Sequence, residues 1–366
     1  MEKRIEKLRE RLVSRPFDTL MVLVEENRRY LSGFTGEDTQ FDESSGCLFV
    51  NASQILLATD SRYLTQAENE CPHCQVYCYE KGLAKAMPEI LGMLGTKKLG
   101  FEPVRLSVQD HQKIMTSLEE ANAKVELVPA SNIVEEMRVI KDEAEIDAMQ
   151  KALAISEQAL VRLMPTIQPG MTEKMLAWEL EKAMREAGGD SLAFASIVAS
   201  GPNSALPHHG VSDRPVREGE FLLFDWGCKK DGYCSDISRT TVVGPSLDEE
   251  MKKIFRTVRE AQEMATRAVR PGVNSRDVDN MARRHIEEAG YGGKFGHGLG
   301  HGVGLAVHEA PRISPLASVD LRPGMVFTVE PGIYIPHWGG VRLENMVAVT
   351  EDGVRVLNSI GQFWDA

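Results

Sequence analysis

Apolar positions in the first part of the chain follow two alternating patterns. Ile5, Leu8 and Leu12 recur at helical spacing. Residues 19–24 read TLMVLV, a short buried strand. CLFV and ILLAT, separated by Asn51–Gln54, predict a hairpin. Helical stretches follow at 62–69, 82–94 and 107–119. Each has a strand candidate behind it, at 75–79, 97–101 and 124–128. Such alternation predicts an α/β sheet with helices packed on it. No G-x-G-x-x-G opens a helix here, so nothing points to a dinucleotide.

Around Pro129–Arg138 the pattern changes. Turn chemistry gives way to a long amphipathic helix whose Ile146, Met149, Leu153 and Leu160 share one face. Further helices are predicted at 172–187, 248–268 and 275–289. Strands are predicted at 192–199, 220–228, 233–243, 325–330 and 345–349. This is an α+β layout, with long helices covering an antiparallel sheet. The expected division is an α/β domain over 1–132 and an α+β domain over 133–366.

Composition narrows the function. A length of 366 residues favours two domains, and 42% hydrophobic with 26% charged residues is ordinary for a globular protein. A net charge of −12 argues against nucleic acid or an anionic membrane surface as partner. No apolar run approaches the ~20 residues of a membrane span. The N-terminal MEKRIEKLRERL lacks the apolar core of a secretion signal, so a cytoplasmic location is expected. In that compartment the six cysteines are expected as free thiols. CPHCQVYC crowds Cys71, His73, Cys74 and Cys78 into eight residues, and exposed thiols on a sheet edge are favoured there over a metal or redox role.

The candidate chemistry lies in FLLFDWGCKKDGYCSDISRT (221–240), where Asp225 and Asp236 interrupt strand-like runs. If Lys230-Asp231 is a two-residue loop, the two aspartates face each other. If Asp231-Gly232 is the loop, the register shifts by two and they become diagonal neighbours on the same face. Like charges that close cannot both stay ionised without help from a shared proton or a cation. Glu330 in MVFTVEPGIYI and Glu344 in VRLENMVAV likewise fall in apolar runs expected to be buried strands. His297, His301 and His308 lie in KFGHGLGHGVGLAVHEAP, where every second residue from 296 to 304 is glycine. That pattern suits a bent strand or loop with close backbone approach. Two Asp, two Glu and one His suit a pair of carboxylate-bridged divalent ions. Arg342, two positions before Glu344, shares its strand face and is placed to hydrogen-bond a ligand carboxylate.

Several ordered motifs carry a resemblance: ALPHHG, FDWGCKKDGYCSDISRT, GHGLGHGVGLAVHE, TVEPGIY and GGVRLEN. Residues 140–366 resemble the pita-bread metallopeptidases, which include methionine aminopeptidase, aminopeptidase P and prolidase. The first half resembles the creatinase-type domain that precedes this fold in the proline-specific members. The resemblance implies the metal ligands Asp225, Asp236, His301, Glu330 and Glu344, with Mn²⁺ or Co²⁺ foremost and Zn²⁺ or Fe²⁺ as further candidates. Asn345 stands where relatives commonly carry Asp, next to the last ligand.

By the same resemblance the protein is a metallo-exopeptidase acting on Xaa-Pro peptides, as dipeptidase or aminopeptidase, and a homodimer. A hydroxide bridging two ions would attack the peptide carbonyl. Glu330 would touch metal and shuttle the proton, and His308 would donate to the carbonyl or oxyanion. His208 would contact the substrate beyond the scissile bond, with His297 lining the same pocket; His209 is a weaker candidate for that contact, the alternative being a solvent-facing side chain. Arg312 is a candidate for holding a dipeptide's carboxylate. The competing classes are a methionine-aminopeptidase-like activity, disfavoured by the extra N-terminal half, and a metal-free creatinase-like hydrolase or non-catalytic scaffold, disfavoured because all five ligand types are present.

Overall fold

The apolar runs of the first half are buried on both faces of one sheet. In the computed structural model, which describes residues 1–38, 40, 43–244 and 248–361, the chain divides into units Met1–Arg138 and Val139–Ala366. The first unit holds β1 (Thr19–Val22), β2 (Cys47–Asn51), β3 (Ile55–Thr59), β4 (Gln75–Cys78), β5 (Lys98–Phe101) and β6 (Glu126–Pro129). Their order is β4-β3-β2-β1-β5-β6. Strand β2 is antiparallel to both neighbours and the other pairs are parallel. Leu20, Met21, Leu48, Phe49, Leu56 and Leu57 are all fully buried, so these strands show no polar alternation.

Helices α1 (Glu2–Leu12), α2 (Glu25–Ser32), α3 (Leu64–Glu70), α4 (Leu83–Leu94) and α5 (Val108–Glu120) connect or flank these strands, and the short α6 (Glu135–Arg138) closes the unit. Two polar networks anchor its interior. The buried Glu102, just past β5, accepts the N–H groups of Leu23 and Val24 at 2.6 and 2.7 Å and the Asn27 amide at 2.6 Å. The buried Arg28 donates to the carbonyls of Gly36 and Gly46 and to Asp38 and Ser45. Asn27 also bonds Glu135 and Arg138, which ties α6 to this unit. The division therefore falls after Arg138, beyond the expected 132.

The second unit builds four long helices, α7 (Glu143–Leu163), α8 (Glu173–Glu186), α9 (Glu249–Ala268) and α10 (Ser275–Ile286). Asp142 and Glu145 form a capping box that starts α7. The strands are β7 (Ser191–Leu192), β8 (Ile197–Ser200), β9 (Phe221–Trp226), β10 (Cys228–Lys230), β11 (Tyr233–Cys234), β12 (Ile237–Val242), β13 (Gly300–Gly302), β14 (Glu309–Ile313), β15 (Val326–Val329), β16 (Gly332–Ile335), β17 (Gly339–Arg342), β18 (Asn345–Val349) and β19 (Val354–Val356). Every pairing among them is antiparallel. The two largest sheets run β12-β9-β8 and β14-β13-β15-β18-β19.

Helices cover both faces of these strands. The α7 stripe of Ile146, Met149, Leu153 and Leu160 joins Leu176, Leu180, Phe224 and Trp226 in one core. Ile254, Phe255 and Val258 of α9 join Val278, Phe327 and Val347 in another. Strands pressed between two helical layers are apolar on both sides, so any carboxylate among them lacks water.

Two expectations need correction. The predicted strands 220–228 and 233–243 are each split in two. Of the four acids expected inside strands, only Asp225 is. Asp236, Glu330 and Glu344 lie in the short interruptions before β12, after β15 and before β18. Pro331 explains one break, since its ring nitrogen has no hydrogen to give a ladder.

Candidate metal centre

The Asp231-Gly232 loop fixes where the two aspartates go. Both residues adopt positive φ, 51° and 85°, as a type I′ turn requires. Cys234 then pairs with Lys229, and Ser238, rather than Asp236, pairs with Asp225. The aspartates are diagonal neighbours, the second of the two registers allowed by the sequence.

The glycine-rich segment brings the histidine. A side chain at Gly300 would run into the Thr328 carbonyl, so the bare backbone lets β13 press against β15. His301 follows, buried, and its backbone N–H donates to Thr328 Oγ1 at 3.1 Å. Its Nδ1 lies 3.2 Å from the Gly302 carbonyl, which makes Nδ1 the protonated nitrogen. The Nε2 lone pair then faces Glu330 Oε1 at 3.4 Å and Asp236 Oδ2 at 3.6 Å. Burial lowers the His301 pKa to about 3, so the ring is neutral and supplies no proton to this gap. A lone pair aimed at ionised carboxylates is repulsive unless a proton or a cation sits among them.

The carboxylates say the same. One ligand atom each from Asp236, His301 and Glu344 lies within 4.8 Å of the others, the one such convergent group among the described residues. Burial, then the Glu344, Asp225 and Glu330 charges, push Asp236 well above its ordinary value. Burial, then Glu330 and Asp225, do the same to Glu344. Burial takes Glu330 up to about 8, and raises Asp225 against the pull of Arg342. Asp225 Oδ1 is buried without a hydrogen-bond partner. No N–H or O–H donor among the described residues reaches the Asp236 carboxylate. Five oxygen and nitrogen donor groups, under-supplied with protons, fit divalent cations.

One arginine organises the surroundings. Arg342, 3% exposed, donates Nη2 to Asp225 Oδ2 at 2.6 Å and Nε to Ser238 Oγ at 2.8 Å. Ser238 passes its own hydrogen to Glu344 Oε2 at 2.8 Å. Arg342 Nη1 reaches the Tyr334 hydroxyl at 3.1 Å and the Pro207 carbonyl at 3.2 Å. So the arginine expected to touch one ligand holds Asp225 directly and Glu344 through a serine. Thr328 Oγ1 donates to Glu330 Oε1 at 3.1 Å.

All the expected site residues line one cleft of about 620 Å³. His308 lies at its exposed edge, its ring centroid 4.2 Å from that of His301. His208 is exposed on the loop ahead of β9. Arg312 sits directly opposite His301 across β13 and β14, on the same face, and its guanidinium has no side-chain partner among the described residues. His297 lines this cleft too, with its ring tied into the wall. Its Nδ1 meets the Gly298 carbonyl and its Nε2 the Tyr334 hydroxyl, each at 2.8 Å, so both ring nitrogens are engaged within the chain. Burial, then Arg342, lower its pKa to about 4, and the ring is neutral. His209 is not solvent-facing. Its Nε2 lies 2.8 Å from Glu173, whose carboxylate also gathers Ser200, Asn203 and Ser212 beneath the His208 loop. Asn345 Oδ1 accepts from Arg239, whose guanidinium also holds the Glu344 carbonyl, so the amide keeps the acceptor that an aspartate would supply.

Tyr334, Ser238, Thr328, Glu173 and Arg239 escaped the sequence reading. Ser238 and Thr328 each lie two positions from a ligand acid, a usable signal by strand alternation. Tyr334, Glu173 and Arg239 act across sheets and gave none.

A helix-covered antiparallel unit in which Asp236, His301 and Glu344 converge, with Asp225 and Glu330 lining the same cleft, carries a candidate centre for metal-dependent hydrolysis. Residues 147–351 match metallopeptidase family M24, and residues 4–140 match the Creatinase/Prolidase N-terminal domain. The chain belongs to metallopeptidase family M24, with a creatinase-type N-terminal domain before the pita-bread catalytic domain. It is 36% identical over 359 residues to a Xaa-Pro dipeptidase of Pyrococcus horikoshii, covering 98% of this chain and 97% of that one. A solved Xaa-Pro dipeptidase from Bacillus anthracis superposes with a TM-score of 0.91 at 35% identity, covering 99% of this chain and 98% of that one. A solved X-Pro aminopeptidase from Thermotoga maritima superposes with a TM-score of 0.87 at 35% identity, with 98% of each chain covered.

Proposed function

We propose that this metallo-exopeptidase hydrolyses Xaa-Pro bonds, with dipeptides as its preferred substrates. The observation that carries the metal-dependent chemistry is the convergence of the neutral His301 ring with the Asp236, Glu330 and Glu344 carboxyl groups in one cleft. Asp225, Asp236, His301, Glu330 and Glu344 would hold the divalent ions, whose chemistry there is activation of water and polarisation of a carbonyl. The carboxylate-rich set with one imidazole suits Mn²⁺ or Co²⁺.

The chain's own groups do the rest. Glu330 takes the proton of the attacking water and delivers it to the leaving nitrogen. That delivery matters for an X-Pro bond, whose tertiary amide nitrogen has no hydrogen of its own. His308, at the cleft edge beside His301, donates a hydrogen bond to the carbonyl oxygen as negative charge develops on it. His208 contacts the residue beyond the scissile bond, on a loop that His209 and Glu173 hold in place. The Gly298 carbonyl and the Tyr334 hydroxyl occupy both nitrogens of His297, so it forms cleft wall and orients Tyr334 rather than touching substrate.

Arg312 favours the dipeptidase over the aminopeptidase reading. An unpaired guanidinium facing the cleft from the position opposite His301 matches a free carboxylate at the end of a two-residue substrate. A longer peptide would place a neutral amide there instead. Cytoplasmic location and homodimerisation belong to this reading as extensions of the family resemblance.

Hydrolysis of Ala-Pro, Ala-Pro-amide, Ala-Pro-Ala and Met-Ala, with chelator or with added Mn²⁺ or Co²⁺, tests the proposal. Ala-Pro with metal is expected to be the best substrate. Arg312→Gln should lower kcat/KM for Ala-Pro by ~10–100-fold, the worth of a charge-assisted bond, while sparing the amide. Equal turnover of Ala-Pro and its amide would move the reading to an aminopeptidase. Met-Ala as the best substrate would move it to the methionine-aminopeptidase class, and full activity in chelator would sink it.

A further inference from the structure

The CPHC segment of the first unit plays no part in the chemistry above. Cys71 ends α3, is fully buried, and donates its thiol hydrogen to the Ser32 carbonyl at 3.4 Å. Pro72 and His73 then turn the chain, and the Cys74 N–H donates back to the Cys71 carbonyl at 2.9 Å. A four-residue turn closed this way holds its end Cα atoms within ~7 Å, about the span that a disulfide bridges. The turn therefore leaves the two thiols within reach of each other. Cys74 is partly exposed on the outer side of the turn.

A zinc site would need more convergence than this. Among the described residues, no group of three ligating side chains drawn from Cys71, His73, Cys74 and Cys78 brings its atoms together. Cys78 lies in β4, in register with Thr59 of β3. What remains is a dithiol spanning one tight turn, with one member partly accessible.

We propose that Cys71 and Cys74 are a peroxide-sensitive pair that closes reversibly into a disulfide. Cys74, the exposed sulfur, attacks one oxygen of hydrogen peroxide. The O–O bond breaks, water leaves, and Cys74 becomes a sulfenic acid. The Cys71 sulfur then attacks the Cys74 sulfur. An S–S bond forms, and the hydroxide expelled takes the Cys71 proton as a second water. The two thiols lose two electrons and two protons, and one peroxide becomes two waters. Closure also removes the thiol hydrogen that Ser32 receives, at the start of the 33–36 segment after α2.

The test uses the full-length, metal-loaded protein treated with hydrogen peroxide, then alkylated after unfolding and mapped by mass spectrometry. Wild type is expected to lose two alkylatable thiols, to show a peptide linked between positions 71 and 74, and to regain both thiols with dithiothreitol. Cys78→Ser should behave the same way. Cys74→Ser should give no linkage and leave Cys71 alkylatable. Because Cys71 is buried, Cys74→Ser carries the test if Cys71→Ser fails to fold. Cys74 driven to sulfinic acid with Cys71 still free would overturn the proposal. So would a link from Cys74 to Cys78, or two thiols that survive peroxide unchanged.

Discussion

Both units bury carboxylates, and they treat them in opposite ways. In the first unit Glu102 sits among three N–H donors at 2.6–2.7 Å, and Asp38 is held by Arg28 and Ser45. Burial takes Glu102 up to about 7 despite those donors. Burial would raise Asp38 as well, but Arg28 and Ser45 bring it below its ordinary value. In the second unit Asp236, Glu330, Glu344 and Asp225 crowd one another, with few donors among them and one histidine lone pair turned inward. Acids that the chain satisfies by itself are structural. Acids that it leaves unsatisfied, at the cost of their mutual repulsion, are ligands in waiting.

Amide substitutions should break this contrast most sharply. Glu344→Gln or Asp236→Asn should lower metal-supported peptidase activity by more than the ~100-fold that removing a supporting residue costs. The same changes should stabilise the metal-free protein by on the order of 1 kcal/mol, because they remove a repelled charge. Glu102→Gln should do the reverse. It would set an amide NH₂ against donors, cost about 1–3 kcal/mol of stability and leave kcat in place. Denaturant unfolding in chelator, read beside steady-state rates, checks both signs. If all three variants shift stability in the same direction, the contrast is lost.

Arg342→Lys is expected to cost less. Lysine keeps the charge but cannot hold Asp225, Ser238 and Tyr334 at once. Activity should fall by ~10–100-fold, mainly through weaker metal retention, and excess Mn²⁺ should recover part of it. Recovery of nothing at saturating metal would show that Arg342 acts on substrate instead.

The smallest effect is on pH dependence. Folding raises Glu330 from 4.5 to about 8, and raises Asp236 and Glu344 as well. The folded, metal-free chain therefore binds more protons than the unfolded chain between those limits. Its stability is full below the ordinary carboxylate range and falls as pH rises toward 8. Glu102, up to about 7, adds to the lower part of this fall and does not respond to metal. His297 and His301, lowered to about 4 and 3, act in the opposite sense below the ordinary histidine value of 6.5, so thermal midpoints in chelator should drop between pH 6.5 and 8, and excess Mn²⁺ should flatten that fall. A midpoint that rises with pH across that range in chelator would contradict the assignment.

The legible parts of the molecule were those encoded locally. Periodicity located the longer helices to within a few residues, because each buries one stripe such as Ile146–Met149–Leu153–Leu160, but it missed the short α2 and α6. The Asp231-Gly232 turn was visible as one of two registers, since its residues suit positive φ. The acids stood out against apolar runs, but not the strand breaks that hold three of them. Those breaks depend on how neighbouring strands bend, and one sequence segment does not carry that. His297 shows the same limit. Its surroundings marked it as a cleft residue, and only the Tyr334–Arg342 chain from another hairpin reveals that both its nitrogens are taken. Contacts made across sheets, as by Arg239 and Glu173, leave no local pattern.

The most direct measurement is metal content by mass spectrometry after equilibration with Mn²⁺ and removal of free ion, for wild type, Asp236→Asn and Glu102→Gln. Wild type and Glu102→Gln should retain a pair of ions per chain, and Asp236→Asn should lose one or both. Undiminished metal in Asp236→Asn, or none in wild type, would contradict the claim that these unsatisfied acids exist to hold cations.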